Sequence, residues 1–338
     1  MADLILVTGV SGFIAKHVAF QLLQKGYAVR GTIRALNKAD QVKRTLSEAG
    51  ADISNLEFAA ADLSSDDGWD AAADGCINVL HIASPLPTSQ PRHREALVPA
   101  ARDGALRVLN ASRNAERIIM TSSIAAMGYK ADRPAEYTFG EDDWSDPEWR
   151  GLTPYAISKT RAEKAAWDAA IEGGYKHRLT VINPGFVFGP ALDDDLGASI
   201  ELVRRVMTGD MPGIPPISFA TVDVRDVADL HIRAMEMPET GGRRLIAAGE
   251  TLALSDMAEM LREEFPDYAD KIPTRRLSIT MMRIFALFNR DAASISGSLG
   301  LTSYADAKYV TELTGQKFRS GREALLDTAR SLIKIKAL

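Results

Sequence analysis

The sequence predicts an α/β protein in which helices cover both faces of a doubly wound parallel sheet, followed by a smaller, mainly helical C-terminal portion. Short runs rich in Val, Ile and Leu alternate with longer amphipathic stretches through the first 185 residues. This alternation is typical of buried parallel strands joined by crossover helices. After Pro184 it gives way to a loop rich in proline and glycine and then to mainly helical sequence.

The alternation predicts six strands and four helices, and right-handed crossovers between them produce the doubly wound arrangement. The strands are expected near Leu4–Thr8, Ala28–Ile33, Leu56–Ala61, Val79–Ile82, Arg117–Thr121 and Leu179–Ile182. The helices are expected near Phe13–Lys25, Asp40–Ala49, Pro91–Asn114 and Pro154–Gly173.

Two portions are expected from the change after Pro184. Residues 1–185 form the first, and 217–250, with a strand followed by a helix, return to it. Residues 186–216 and 251–338 form the second portion. The first of these two ranges ends in a loop, Gly209–Pro216, by its proline and glycine content. We expect this second portion to close over the carboxyl edge of the sheet, where open α/β folds bind ligands.

Composition narrows the class of protein. The chain of 338 residues has 40 basic and 45 acidic side chains, a formal charge of −5, and 46% hydrophobic residues. A mildly acidic chain has no general attraction for nucleic acid or anionic membranes. The single cysteine, the lack of a secretory signal pattern and the lack of an apolar run of roughly 18 residues predict a cytoplasmic protein without a membrane partner.

A glycine-rich turn joins the first strand to the first helix. Gly9 permits the turn and Gly12 permits close approach, so the backbone around Ser11, Phe13 and Ile14 and the positive end of the helix can meet a pyrophosphate. The third small residue of such turns is Ala15 here. The position of the turn after the first strand favours a dinucleotide site over a merely structural turn.

The end of the second strand predicts which dinucleotide is bound. NAD sites usually place an acidic residue there to accept the ribose hydroxyls, but this strand ends in Arg34. A guanidinium favours the 2′-phosphate of NADP, and Lys38 or Lys43 can add a further positive charge. Asp62-Leu63 follows the third strand, and the aspartate either accepts the adenine amino group or caps a helix.

Tyr155 and Lys159 are the candidate acid–base pair. Their spacing of four places both on one face of a helix, so the ammonium and an oxidised nicotinamide would together lower the phenol pKa. The pair Tyr304 and Lys308 has the same spacing but lies far beyond the sheet, so we interpret it as surface.

The predicted fifth strand ends in two serines at the same edge of the sheet as Tyr155. Ser123 has a hydroxyl able to donate to a substrate carbonyl, and Ser122 is the competing candidate. Taken alone, two serines after a buried strand usually cap a turn, so the prediction depends on the combination.

Together these motifs resemble the extended short-chain dehydrogenases/reductases. They stand in the order Thr8-Gly9-xx-Gly12-Phe13-Ile14, Asp62-Leu63, His81-Ile82-Ala83-Ser84-Pro85, Thr121-Ser122-Ser123, Tyr155-xxx-Lys159 and Asn183-Pro184-Gly185-Phe186-Val187-Phe188-Gly189-Pro190. Arg34, Ser84-Pro85 and Ser158-Lys159-Thr160-x-Ala162-Glu163-Lys164-Ala165-Ala166-Trp167 are similar to the aldehyde and ketone reductases related to dihydroflavonol-4-reductase.

The resemblance implies a Rossmann-like fold whose first portion binds NADP, and it assigns roles to single residues. Ser123 would polarise the carbonyl, Tyr155 would donate the proton, and Lys159 would lower the phenol pKa and hold the nicotinamide ribose. The same likeness places Ala83 and Ser84 in the cofactor cleft and brings the backbone from Pro184 through Gly185 to Val187 against the carboxamide. One departure is Asp103, since many relatives carry a proton-relay Asn just before Gly104.

The sequence therefore predicts an NADPH-dependent reductase of a small carbonyl compound. Ser84, Met127 and Phe186 are expected to line the substrate pocket, and with Leu86 and the stretch Met281–Phe288 they predict a hydrophobic aldehyde or ketone. The alternatives are a sugar-nucleotide epimerase or dehydratase that retains NAD(P), a hydroxysteroid-type dehydrogenase, and a non-catalytic NADP-binding sensor. The family occurs as monomers and homodimers, and nothing in the sequence decides between them.

Several other features are interpreted as structural. The five histidines have no metal-ligand spacing, so no metal site is predicted. Glu141-Asp142-Asp143 and Asp193-Asp194-Asp195 are interpreted as solvated loops, and the acids before His231 as helix caps. The stretch Met281–Phe288 is interpreted as a helical face that packs in the core.

Overall fold

A sheet of seven parallel strands forms the centre of the computed structural model, which describes residues 2–85, 91 and 93–338. In space its strands follow the order β10-β7-β5-β4-β1-β2-β3. From β1 the chain first adds β2 and β3 on one side and then adds β4 and the later strands on the other side, so the strand order reverses between β1 and β4. The strands are β1 (Leu4–Val7), β2 (Ala28–Ile33), β3 (Leu56–Ala60), β4 (Asn78–His81), β5 (Arg117–Thr121), β7 (Leu179–Pro184) and β10 (Arg244–Ala247). A crevice opens at such a reversal, at the carboxyl ends of the strands.

Helices cover both faces of this sheet. Along β1, Ile5 and Val7 pack into one apolar cluster, whereas Leu6 packs into another on the opposite face. Because both faces are buried, the strand is apolar throughout. The helices are α1 (Phe13–Gln24), α2 (Ala39–Glu48), α3 (Trp69–Ala73), α4 (Val98–Ala111), α5 (Pro154–Glu172), α6 (Ala198–Thr208), α7 (Val224–Glu236), α8 (Leu254–Glu264), α9 (Ile279–Phe285), α10 (Arg290–Ile295), α11 (Lys308–Thr314) and α12 (Gly321–Lys334).

Two smaller sheets complete the described part of the chain. In the first, β9 (Ser218–Asp223) pairs parallel with β8 (Phe186–Phe188) and antiparallel with β11 (Thr251–Ala253). In the second, β6 (Glu136–Phe139) pairs parallel with β12 (Thr302–Ala305). A separate apolar cluster joins α6, α8 and α12 beneath the first of these sheets. The C-terminal region thus has its own core.

Most predicted elements lie where the sequence placed them. The strands β2 and β5 have the predicted bounds, and the remaining predicted strands differ by one or two residues at an end. One helix was wrong: α4 begins at Val98 and not at Pro91. Pro99 stands in its first turn, where a missing N–H costs nothing, so the helix starts immediately before that proline.

The acidic runs are less solvated than expected. Asp142, Asp194 and Asp195 are exposed, but Asp143 accepts hydrogen bonds from the hydroxyl of Tyr137 and the backbone N–H of Gly140. These two bonds close the loop after β6.

The second run reaches back to the first helices. Asp193 forms an ion pair with Lys16 of α1, whose side chain is fully buried, and accepts a hydrogen bond from the hydroxyl of Thr45 in α2 at 3.1 Å. The interpretation of Asp193 as a solvated residue was therefore wrong, because the loop is short enough to bring its carboxylate onto a buried ammonium.

The stretch Met281–Phe288 also differs from its prediction. Met282 is buried, but Leu287 and Phe288 are 77% and 86% exposed, so most of this apolar face is on the surface. Tyr304 and Lys308 are at the surface as predicted, where the lysine pairs with Glu312. Among the residues that the structure describes, no helix has the length and apolarity to cross a bilayer, and no cluster of His, Cys, Asp or Glu could hold a metal ion.

Candidate active site

The turn after β1 is built for close approach of its backbone. The buried hydroxyl of Thr8 accepts hydrogen bonds at 3.0 Å from the backbone N–H groups of Ile82 and Ala83, which ties the ends of β1 and β4 together. Gly9 has a φ of +64°, and a Cβ atom there would lie 2.9 Å from the Cβ of Ala83. Only glycine fits between these two strand ends without strain.

The helix that follows leaves its N-terminus open. Gly12 is the N-cap of α1, and because glycine has no side chain, the N-cap residue makes no capping hydrogen bond to the first N–H groups. Ser11, Phe13 and Ile14 are partly exposed around it, and Ala15 is buried against the sheet. An uncapped helix N-terminus at a glycine turn suits an anion such as a pyrophosphate.

The residues after β2 and β3 lie at the same edge. Arg34 and Lys38 are exposed, whereas Lys43 lies over the ring of Phe58. Asp62 accepts hydrogen bonds from the N–H and hydroxyl of Ser64, and these bonds, with a smaller effect of Arg34, lower the pKa of its carboxyl. Asp62 thus closes a turn and does not cap a helix, since the next helix begins at Trp69, and its contact with adenine stays a prediction.

Leu63 faces α4. A Cβ atom at Gly104 would lie 2.9 Å from that of Leu63, so the glycine lets the helix pack against this turn. Asp103, the departure from the family pattern, pairs with Arg102 on the outer surface of α4.

Ser123, Tyr155 and Lys159 meet at the carboxyl edge of β5. Ser123 follows the strand, and its side chain is close enough to the Tyr155 phenol to affect its pKa. The Lys159 ammonium donates to the backbone carbonyl of Thr121, the last residue of β5, at 3.4 Å. Thr153 caps the start of α5 and thereby orients its first turn, which carries Tyr155.

Burial shifts the pKa values of both Tyr155 and Lys159. Burial raises the pKa of Tyr155, and the Ser123 side chain opposes that effect. The lowering of the phenol pKa that we expect from Lys159 and an oxidised nicotinamide together stays a prediction, because it concerns the protein with its cofactor bound. Burial also lowers the pKa of Lys159 to about 8, although the charge of Glu163 opposes it.

His81 completes the wall of the crevice beside Lys159. It is buried, and burial together with the charge of Lys159 lowers its pKa to about 3, so the ring is neutral. Its Nδ1 lies 3.0 Å from the hydroxyl oxygen of Thr8. Because that oxygen already accepts from two N–H groups, its proton is available to Nδ1.

The predicted pocket residues are not all at a surface. Phe186 is partly exposed and stacks on Phe219 with ring centroids 4.3 Å apart, and Ser84 is also partly exposed. Met127 is fully buried in the main core, so its prediction as a substrate contact was wrong. It follows a short helical turn that points it inward. Leu86 lies outside the described residues.

The segment after β7 is held tightly against its neighbours. Pro184 and Val187 are buried, and a Cβ atom at Gly185 would lie 2.3 Å from the carbonyl oxygen of Ala220. The glycine is therefore required where β9 approaches.

Sequence reasoning missed a buried carboxylate behind these residues. Glu163 lies one helical turn after Lys159 and contacts Ser122, Asn183 and Arg244. An acidic residue four positions after the lysine, and so on the same face of α5, was the available signal.

Comparison with known proteins places the chain in a family. The sequence pattern of the NAD dependent epimerase/dehydratase family matches residues 5–249. The chain belongs to this family. Within it, a cinnamoyl-CoA reductase of Petunia hybrida is 38% identical over 286 residues, which are 83% of each chain. The NADPH-dependent methylglyoxal reductase of Saccharomyces cerevisiae is 32% identical over 357 residues, which are 98% of each chain.

Solved structures agree with this family assignment. The crystal structure of yeast methylglyoxal/isovaleraldehyde reductase complexed with NADPH has a TM-score of 0.82 and 30% identity, and 99% of each chain is covered. Vestitone reductase from alfalfa has a TM-score of 0.75 and 26% identity over 99% of each chain. The predicted doubly wound fold and the resemblance to extended short-chain reductases are thus confirmed for this family member.

Proposed function

We propose that this protein reduces the carbonyl group of a small, hydrophobic aldehyde or ketone. It is an NADP-dependent oxidoreductase of the extended short-chain reductase family. The observation that carries the proposal is the meeting of Ser123, Tyr155 and Lys159 beside the crevice between β1 and β4.

Several features along the crevice support the binding of NADP there. Gly9 and Gly12 leave room for a pyrophosphate at the open N-terminus of α1, and Arg34 and Lys38 offer exposed positive charge for a 2′-phosphate. The further residues proposed to hold it are Ser11, Phe13, Ile14, Asp62, Leu63, Ala83, Ser84, Tyr155, Lys159, Pro184, Gly185 and Val187.

When bound, NADPH supplies the hydride that adds to the carbonyl carbon. In our proposal the Ser123 hydroxyl donates a hydrogen bond to the carbonyl oxygen, and the Tyr155 phenol gives that oxygen its proton. A raised pKa keeps Tyr155 protonated near neutral pH, which suits a donor. Lys159 holds its ammonium against the carbonyl of Thr121 and would meet the nicotinamide ribose.

An apolar substrate is supported by the stacked pair Phe186 and Phe219, of which Phe186 is partly exposed. Aromatic rings bind apolar groups through burial and leave recognition of the carbonyl to Ser123 and Tyr155. Two of the relatives are named for the reduction of methylglyoxal and cinnamoyl-CoA, which supports a carbonyl substrate for this chain.

The test is NADPH consumption with a panel of aldehydes and ketones, followed for wild type and Tyr155→Phe. We expect the variant to lose about 10²–10⁴-fold in turnover while its affinity for NADPH falls far less, because Tyr155 is only one of the residues proposed to hold the cofactor. Tyr304→Phe, at the matched surface pair, is the control and keeps wild-type turnover. Wild-type turnover in Tyr155→Phe would overturn the mechanism.

Two other results would replace the proposal. Tightly bound NAD in the purified protein, with conversion of a sugar nucleotide and no net NADPH consumption, would indicate an epimerase or dehydratase. Binding of NADPH without its oxidation by any carbonyl compound would indicate a sensor.

A further inference from the structure

Glu163 is a buried glutamate that has no role in the reaction as proposed above. It lies in α5 with no solvent exposure at all. Burial of a carboxylate is costly unless hydrogen bonds and opposite charge compensate it. The groups that contact Glu163 therefore indicate which role its negative charge has.

Both carboxylate oxygens are occupied. Oε2 accepts hydrogen bonds from the Ser122 hydroxyl at 2.5 Å and the Asn183 amide at 2.8 Å. Oε1 accepts from the Arg244 guanidinium at 2.6 Å and the Trp167 indole at 3.4 Å. A carboxylate with four donors is the ionised form, because a carboxyl proton would occupy one of these positions.

Through Asn183, the hydrogen bonds of Glu163 extend to Ser123. The Asn183 amide nitrogen donates both to Glu163 and, at 3.1 Å, to the backbone carbonyl of Ser123. In the part of the chain that the structure describes, Oδ1 of Asn183 is buried and has no hydrogen-bond partner. The orientation of the amide is therefore set by its two donations. The residue before Ser123 is held by Glu163 directly, because the Ser122 hydroxyl donates to its carboxylate.

The negative charge of Glu163 also acts on Lys159. The two residues are four apart in α5, and Glu163 favours the charged form of the lysine against its desolvation. The only hydrogen bond of the Lys159 ammonium among the described residues is the 3.4 Å contact with Thr121, which is too long to compensate for burial. Without a nearby anion, the amine would lose its proton at lower pH.

Arg244 has an anchor of its own. Its guanidinium donates to the backbone carbonyls of Glu141 and Asp143 and lies 3.8 Å from the ring centre of Trp144. It pairs with Glu163 only through Oε1. The carboxylate thus has an arginine on one oxygen and the serine and asparagine of the active-site edge on the other.

The other titratable or charged groups around this site are few. His81 and His231 are buried, and burial is the main reason that the pKa of each lies below its ordinary value. They are therefore neutral near pH 7. The charged and titratable groups that face the network are Lys159 and Tyr155 of α5, Arg244 of β10, Glu141 and Asp143 of the loop after β6, His81 of β4, His231 of α7 and, beside Trp144, Lys164.

We propose that Glu163 is a positioning residue for the reduction: it holds the chain on both sides of the Ser123 side chain, through the Ser122 hydroxyl and through the Asn183 amide on the Ser123 carbonyl, and it keeps Lys159 in its ammonium form. The inference rests on the proposed function. It assigns one buried charge two tasks, one geometric and one electrostatic.

The experiment compares Glu163→Gln with Arg244→Met, which breaks the same buried pair from the other side. The titration of Lys159 is followed in the ligand-free protein by NMR of isotope-labelled lysine side chains, with the Lys159 signal identified by its loss in K159M. We expect the midpoint to fall by about one pH unit in E163Q, a tenfold change in proton affinity, and to rise or stay constant in R244M. Both variants are expected to melt at a lower temperature than wild type.

Turnover provides the second readout. In E163Q the alkaline limb of kcat should move to lower pH with the Lys159 midpoint, and kcat at pH 7 should fall about tenfold while the KM for NADPH changes little. Glu163→Asp keeps the charge with a shorter side chain. It should restore the alkaline limb but not the full kcat, because the Ser122 hydroxyl and the Ser123 carbonyl are held less firmly.

A purely structural role makes a different prediction. Both single variants would then lose activity in proportion to lost stability, with the Lys159 midpoint and the alkaline limb unchanged, and this result would overturn the inference. Should E163Q not fold, the double variant E163Q/R244M removes both charges and leaves no buried guanidinium without its carboxylate. It should show a smaller fall of the same midpoint, and an unchanged midpoint would again overturn the inference.

The result also separates this inference from the proposed function. A wild-type protein that oxidises no NADPH with any carbonyl compound contradicts the function, while the ligand-free titration still decides the electrostatic task of Glu163. A wild type that turns over, with a Lys159 midpoint identical in E163Q, contradicts the inference alone.

Discussion

Gly9 and Ala83 touch across the crevice between β1 and β4. A Cβ atom on Gly9 would lie 2.9 Å from the Cβ of Ala83, closer than such carbons approach in proteins, and the glycine has a φ of +64°. A side chain at position 9 would therefore meet both a backbone penalty and a steric one. The steric one would push β4 away from the turn that we propose to bind the pyrophosphate.

We predict that Gly9→Ala weakens NADPH binding by tenfold or more, measured as a Kd by fluorescence titration. Gly26→Ala is the matched control, because Gly26 has a φ of +87° but nothing within 4 Å of an added Cβ. Both substitutions should cost about 1–2 kcal/mol of stability for the left-handed backbone. Equal NADPH affinity in the two variants would contradict a role for the Gly9–Ala83 contact in the cofactor site.

Arg34 should determine the preference for NADPH over NADH. Arg34→Ala removes an exposed guanidinium at the end of β2. Since a hydrogen bond to a charged group contributes about 1.5–3 kcal/mol, the KM for NADPH should rise about tenfold to a hundredfold, with the KM for NADH unchanged. Steady-state kinetics with both cofactors test this.

Arg262→Ala, on the exposed face of α8, is the control for the loss of one positive charge. It should leave both KM values unchanged. If Arg34→Ala changes the two KM values equally, the 2′-phosphate is recognised elsewhere.

Met127 and Phe186 should separate core packing from substrate binding. Met127→Ala removes a fully buried side chain and should lower the free energy of unfolding by about 2–5 kcal/mol, measured by urea denaturation. Its KM for the carbonyl substrate should change little where the variant is folded. Phe186→Ala, at a partly exposed ring, should raise the KM for an apolar substrate about tenfold.

The reverse pattern, in which Met127→Ala raises the KM and Phe186→Ala affects stability alone, would restore the sequence-based assignment of Met127 to the pocket. The two variants are compared at the same temperature, below the melting point of the less stable one.

The central sheet was predictable because its signals are local. The strand β5 is a continuous apolar run before a Ser pair, and α1 begins at a glycine turn, so both are recognisable within a few residues. Tyr155 and Lys159 were predictable for the same reason, since their spacing on α5 and the order of the strands bring them to one edge. The cytoplasmic location stays a prediction, and the choice between monomer and homodimer stays open.

The rest depends on contacts between distant parts of the chain. The pairing of β6 with β12 joins residues more than 160 positions apart, and no local pattern marks it. Met127 is apolar and lies four residues after Ser123. Whether its side chain faces the core or the pocket depends on the turn of three residues between them, Ile124–Ala126. The pKa of Tyr155 depends on how deeply the folded chain buries it, which the spacing of two residues does not contain.

Asp193 has a consequence for any attempt to exchange substrate specificity between relatives. Its carboxylate joins the segment between β8 and α6 to Lys16 of α1 and Thr45 of α2. A chimera that replaces everything after β7 would leave the Lys16 ammonium buried without its counter-ion. The graft must therefore carry an acidic residue at this position, or Lys16 must be changed with it, if the recipient is to fold.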